Sequence, residues 1–124
     1  MYKADVMYKF YAVLFCLVVI FGCNKPVNTK QAPFISACMQ TQIDSALAKP
    51  KGSLFTSIDA YQYNNAVVYL YYAGCCDRFN ELKDQNCNYL FSPSGGITGC
   101  GDCNHQNFFN EAVLVSTVWT DPRP

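Results

Sequence analysis

The chain has 124 residues, about one domain's worth, and its nine basic and nine acidic residues cancel, so no charge footprint points to nucleic acid or an anionic membrane surface. Aromatic residues make up 15% and charged residues only 15%, a balance that excludes intrinsic disorder. Eight cysteines in so short a chain imply metal ligands in a reducing cytosol and a disulfide framework outside it.

The first residues, "MYKADVMYK", carry Lys3 and Lys9 with one acid, Asp5, and the run Phe10 to Phe21 ("FYAVLFCLVVIF") has no charge, Gly or Pro. As a helix that run reaches about 18 Å, short of the roughly 30 Å of bilayer hydrocarbon. A basic start, a short apolar stretch and then small Gly22 form a secretory signal over residues 1–22. Cys23 follows at once, and "VIFGC" resembles a bacterial lipobox, in which the cysteine is lipidated and becomes the first mature residue. The expected partner is therefore a lipid bilayer, reached through acylated Cys23. Each buried acyl methylene contributes about 0.8 kcal/mol, so two or three long chains anchor a protein firmly. The alternatives are an ordinary cleaved signal with Cys23 as a disulfide partner, or a buried strand. The repeat of "MYK" at Met1 and Met7 leaves two possible starts. Asn24 after the anchor, with no acidic run behind it, favours the outer over the inner membrane and leaves the leaflet open.

Residues 23–33 are polar with two prolines and read as a tether, leaving 34–124 as the domain. From Phe34 to Lys49, Ile35, Met39, Ile43, Ala46 and Leu47 recur at helical spacing beside Cys38, with Pro33 in the first turn and Pro50 and Gly52 as the stop. The pattern then turns aromatic and β-branched. "SIDAYQY" (57–63) and "AVVYLYY" (66–72) flank Asn64-Asn65 as a hairpin. Val67, Tyr69 and Tyr71 share one face of the second strand and Val68, Leu70 and Tyr72 the other, so that strand is expected at the centre of its sheet. A second hairpin across "DQNC" joins a strand at 79–83 to "NYLF" (88–91), followed by a Gly-rich loop over 92–107. The last strand, 112–120, alternates Val113, Val115, Thr117 and Trp119 on one side. The expected architecture is α+β: one amphipathic helix on an antiparallel sheet of about four strands, stabilised by disulfides.

With Cys16 in the signal and Cys23 lipidated, Cys38, Cys75, Cys76, Cys87, Cys100 and Cys103 remain, and six cysteines allow fifteen pairings. Adjacent Cys75 and Cys76 point to opposite faces of an extended chain, so different partners are expected, with Cys38 within reach of one and Cys100 or Cys103 of the other; sequence alone does not choose among the pairings. Each such bridge contributes about 3–4 kcal/mol. A zinc site at "CGDC" (100–103) with His105 is the rival, weakened by the lack of a matching second pair. A redox role for Cys100 and Cys103 rests on their spacing alone. Ser94, His105 and Asp102 contain the residue types of a hydrolytic triad with nothing to place them together, and "SGG" is not a nucleophile elbow. Asp77, Asp84 and Asp102 lack calcium-loop spacing. Tyr61, Tyr63, Tyr69, Tyr71 and Tyr72 are chiefly sheet packing, with an excess that leaves room for a recognition face.

Three stretches, "VVYLYYAGCCDRFNELKD", "FSPSGGITGCGD" and "VWTDPR", resemble the DUF6970 family, small Bacteroidota lipoprotein domains of unknown function. The resemblance covers about residues 34–123. Its most specific parts are Cys75-Cys76-Asp77 and the run Pro93-Ser94-Gly95-Gly96 with Gly99, Gly101 and Asp102. The family pattern usually has a cysteine where this chain has Phe91 and another where it has His105, so no pairing carries over. The resemblance implies an envelope location and a disulfide-bearing domain, and no activity. Together these readings predict a lipid-anchored, non-enzymatic binding domain in a bacterial envelope, partnered by an envelope protein or ligand. It would make contact through the Tyr face and a loop site of Asp77, Ser94, Gly95, Gly96, Gly99, Gly101 and Asp102. The alternative is an envelope thiol–disulfide redox protein using Cys100 and Cys103; a hydrolase is a weaker third. No catalytic residue, cofactor or metal is assigned.

Overall fold

A computed structural model describes residues 33–124. The expected signal, the lipidation point Cys23 and nearly all of the tether lie outside the described residues. Helix α1 spans Ala37–Leu47, shorter than the expected 34–49. Its start is set by Ser36 rather than Pro33, because the Ser36 hydroxyl accepts the Met39 N–H and satisfies one of the free donors of the first turn. Met39, Ile43 and Ala46, spaced i, i+4, i+7, are its buried stripe. Phe34, Ile35 and Leu47, outside that stripe, stay exposed.

Five strands follow: β1 (Phe55–Tyr63), β2 (Ala66–Ala73), β3 (Phe79–Lys83), β4 (Tyr89–Gly95) and β5 (Val113–Thr120), with a one-turn helix α2 (Phe108–Glu111) before the last. They form one antiparallel sheet in the order β4-β3-β2-β1-β5. The sheet therefore has five strands, not about four: both hairpins join it and β5 returns to the free side of β1. β2 is central, as its two apolar faces require. Asn64 and Asn65 turn the first hairpin with φ of 47° and 63°, the left-handed pair that a tight two-residue turn needs. In the second, the Asp84 carboxylate accepts from the Asn86 and Asn88 N–H groups and from the Asn88 side chain.

Two expectations are corrected here. The Gly-rich loop is shorter than 92–107, because Ser92–Gly95 extend β4; Pro93 is tolerated there since β4 is an edge strand. The alternation on β5 is broken, because the register against β1 slips past Val118 and again past Val115. Val118 and Trp119, neighbours in sequence, consequently pack on the same core.

The sheet has a core on each face. On one, α1 lays Met39, Ile43 and Ala46 against Phe55, Ile58, Ala60, Tyr69 and Tyr71. On the other, Tyr61, Val68, Leu70 and Leu82 are closed over by Phe108 of α2, which is 1% exposed. Phe108 meets Tyr61, Tyr63 and Phe91 edge to face, with ring centroids 5.3, 5.2 and 5.8 Å away. Burying such a side chain contributes roughly 1.5–3 kcal/mol, and edge-to-face packing adds to it. Tyr61, Tyr69 and Tyr71 are thus core residues, and among the described residues the tyrosines left at least partly exposed are Tyr63, Tyr72 and Tyr89.

Candidate functional site

Along the α1 face, between the helix and β3, lies a groove of about 490 Å³. Its apolar lining is Leu54, Phe55, Tyr71 and Ala73, and α1 presents Thr41, Gln42 and Ser45 to it. The alternation of β3 decides the opposite wall: Leu82 points into the far core, so Phe79, Glu81 and Lys83 point to the groove, joined by Asp77 and Arg78 from the β2–β3 connection. The Lys83 side chain is only 14% exposed; its Nζ lies 2.9 Å from Glu81 Oε2, donates to Gln42 Oε1 at 3.4 Å and sits 4.5 Å from the centroid of the Tyr71 ring. Arg78 donates through its guanidinium to the Ser53 carbonyl. Burial, followed by Tyr69 and Glu81, pushes the Tyr71 hydroxyl up to about 12, so it remains a protonated donor throughout the neutral range. Two acids and two bases balance in the walls. The groove therefore suits a ligand with an apolar body and little net charge.

The loop from 96 to 107 is folded on itself. The Gly95 N–H donates to the Gly99 carbonyl, Gly99 N–H to Gly96, Gly101 N–H to Gly95 and Asp102 N–H to Ser92. Gly101 has a φ of 63°, and a Cβ there would lie 1.9 Å from the Ser92 oxygen, so no other residue fits. Of the residues singled out in the sequence, Ser94 accepts from the Asn80 amide. Asp102 accepts from the N–H groups of Ser92 and Asn104 and lies 3.2 Å from His105 Nδ1. Desolvation opposes the charged form of Asp102, yet these hydrogen bonds outweigh it and hold the carboxyl below its usual range. Gly95 and Gly96 lie against Arg78 and Phe79, the Gly96 N–H donating to the Arg78 carbonyl. Asp77 instead lines the groove. The loop residues hydrogen-bond chiefly within the chain, and the groove residues on α1 and β3 were not among those singled out in the sequence. The missed signal was the polar side of β3, Glu81 and Lys83, lying on the face that carries the helix.

His105 stacks on Phe91 with centroids 3.9 Å apart and pairs with Asp102. Ser94 is committed to Asn80, so the triad types do not assemble. A second, polar hollow of about 450 Å³ lies beside His105, between Tyr63 and Glu111.

Cys38 is bonded to Cys87 and Cys100 to Cys103. The expectation that Cys75 and Cys76 partner Cys38 and the loop is overturned: both are free and exposed. The reason is position, since Cys87 in the β3–β4 turn carries a φ of 64° and meets Cys38 at the start of α1, both packed against the core on the helix face. Turn residues follow Cys103 before α2, so no helix N-terminus is there to activate a thiol. Among the described residues, no group of three or more His, Cys, Asp or Glu is placed to hold a metal ion, and no helix is long and apolar enough to cross a membrane.

The sequence pattern of a domain of unknown function, DUF6970, matches residues 44–121, from the middle of α1 to just past β5. The chain belongs to the DUF6970 family. No curated protein and no solved structure matches it. The matched segment of this DUF6970 chain includes the whole sheet, three of the four bridged cysteines and most of the groove wall.

Proposed function

We propose that this DUF6970 protein is a lipid-anchored, non-enzymatic binding domain of a bacterial envelope, held at the bilayer through acylated Cys23. The anchoring rests on the sequence "VIFGC" after an uncharged apolar run. The binding role rests on one observation: the groove between α1 and β3 has an apolar lining and polar walls whose charges are already paired or hydrogen-bonded at Lys83 and Arg78. Such a site has the size and lining of a small-molecule cleft. Its ligand class is an amphipathic molecule, neutral or zwitterionic, with an apolar part small enough to lie over Tyr71 and Phe55.

Two measurements test the two halves separately. Radiolabelled palmitate should enter the wild-type chain and not Cys23→Ser; labelling of both, or of neither, rejects the anchor. Nile red, a neutral apolar dye, should brighten on binding the wild type, and Ala73→Trp, which fills the groove, should reduce that signal at least severalfold. Equal binding by the two proteins rejects the groove.

A further inference from the structure

The connection between β2 and β3, Gly74–Arg78, is pinned at both ends. The Ala73 N–H donates to the Asn80 side chain at 2.8 Å. Gly74 packs so closely on Gly52 that a Cβ there would fall 2.2 Å from the Gly52 Cα, and the Arg78 carbonyl accepts the Gly96 N–H. Between these anchors stand Cys75 and Cys76, both exposed and both unbridged. Consecutive side chains of an extended strand point apart. Here Cys76 and Asp77 are both left-handed, with φ of 58° and 40°, so the chain curls at the pair instead of extending through it. Non-glycine residues rarely hold that conformation, and two in succession persist only where the surrounding structure imposes them. The adjacent Cys75 is the main influence raising the Cys76 thiol above its ordinary value. The four other described cysteines are already joined to one another.

We propose that Cys75 and Cys76 form a redox-active vicinal dithiol that exchanges with an external disulfide and closes to a Cys75–Cys76 bond. The thiolate of one cysteine attacks a sulfur of the disulfide RSSR, forming a mixed disulfide and releasing RS⁻. The second cysteine, as thiolate, then attacks the protein-bound sulfur and releases the other RS⁻. The protein loses two S–H bonds and gains one S–S bond, and RSSR is reduced to two thiols, which carry the two protons. Adjacent Cα atoms are about 3.8 Å apart, below the usual disulfide range of roughly 4.4–6.8 Å, so the ring is strained, and it is solvent-exposed. It is therefore reduced more readily than Cys38–Cys87, which makes the exchange reversible. Asp77, next to the pair, lines the groove, so the dithiol stands beside that cleft. The inference is independent of the cleft's occupant.

The test uses the full chain in detergent, treated with oxidised glutathione, quenched in acid, alkylated and peptide-mapped. The expected result is that Cys75 and Cys76 lose their alkyl labels together, without a glutathione adduct, while the other two disulfides are unchanged. Cys75→Ser and Cys76→Ser should each retain one glutathione on the remaining cysteine. Reduced glutathione should then restore both wild-type labels before Cys38–Cys87 opens. A stable glutathione adduct on either wild-type thiol, full alkylation of both in excess oxidant, or a bridge from either to Cys38, Cys87, Cys100 or Cys103 would overturn the proposal.

Discussion

Arg123 and Asp121 form a clamp that ties the end of the chain to the end of α1. Asp121, whose side chain is 1% exposed, takes Arg123 Nε at 2.9 Å and Nη2 at 2.6 Å. The same guanidinium donates to the carbonyls of Ala46 and Leu47 at the end of the helix and of Lys49 just beyond it. No basic residue lies in that last turn, so a cation from the other end of the chain supplies the favourable charge at the negative end of the helix. Arg123→Met should lower the melting temperature by several degrees, read by circular dichroism. Arg123→Lys should recover little of it, because an ammonium cannot make the two-pronged contact.

The clamp also sets an acid limit. Hydrogen bonds from the Arg123 side chain, outweighing desolvation, hold Asp121 down at about 2, against an ordinary value of 3.8. Because the folded value lies below the unfolded one, this contribution is complete above the ordinary value and is lost as pH falls through about 2. Asp121→Asn should therefore melt lower at neutral pH and lose less further stability than the wild type between about pH 4 and pH 2. A melting-temperature series across that range checks it; parallel curves would sink the assignment.

Cys38 and Cys87 are 49 residues apart in sequence, so their bond removes a long loop from the unfolded ensemble. Replacing both by Ser should cost about 3–4 kcal/mol in a denaturant titration without reductant. The Cys100–Cys103 bond spans only three residues of sequence, and its loss should cost clearly less.

The far face of the sheet is a second core. Leu82 is fully buried there beneath Phe108, whereas Leu90 on β4 is 43% exposed. Leu82→Ala should destabilise the domain by about 2–5 kcal/mol, and Leu90→Ala by less than about 1 kcal/mol. Comparable losses at the two positions would mean that α2 does not close that face.

Gly101 allows the loop to fold onto β4. Gly101→Ala puts a methyl group against the Ser92 carbonyl in left-handed backbone, so the Asp102–Ser92 and Gly101–Gly95 hydrogen bonds should break. The expected cost is at least about 1–2 kcal/mol, with amide exchange rising at Gly101 and Asp102 while β1 and β2 remain protected.

The amino-acid sequence by itself determined the local elements. Helical spacing at Met39, Ile43 and Ala46, two-sided apolarity in β2 and the Asn64-Asn65 turn are short-range signals, and each element stands where its signal does. Tertiary structure alone decided what no window of the sequence contains. β5 reaches β1 across some fifty residues and completes a fifth strand, with bulges that undo its apparent alternation. Phe108 turns an open sheet face into a core, and Arg123 caps a helix more than seventy residues away. Cysteine pairing depended on the same long-range geometry, since Cys38 meets Cys87 only once the second hairpin has folded beside α1. The groove arose in the same way: Glu81 and Lys83 look like the solvated side of a strand until α1 is laid across that face. Periodicity records which residues share a face, but which faces meet is fixed by packing between distant segments.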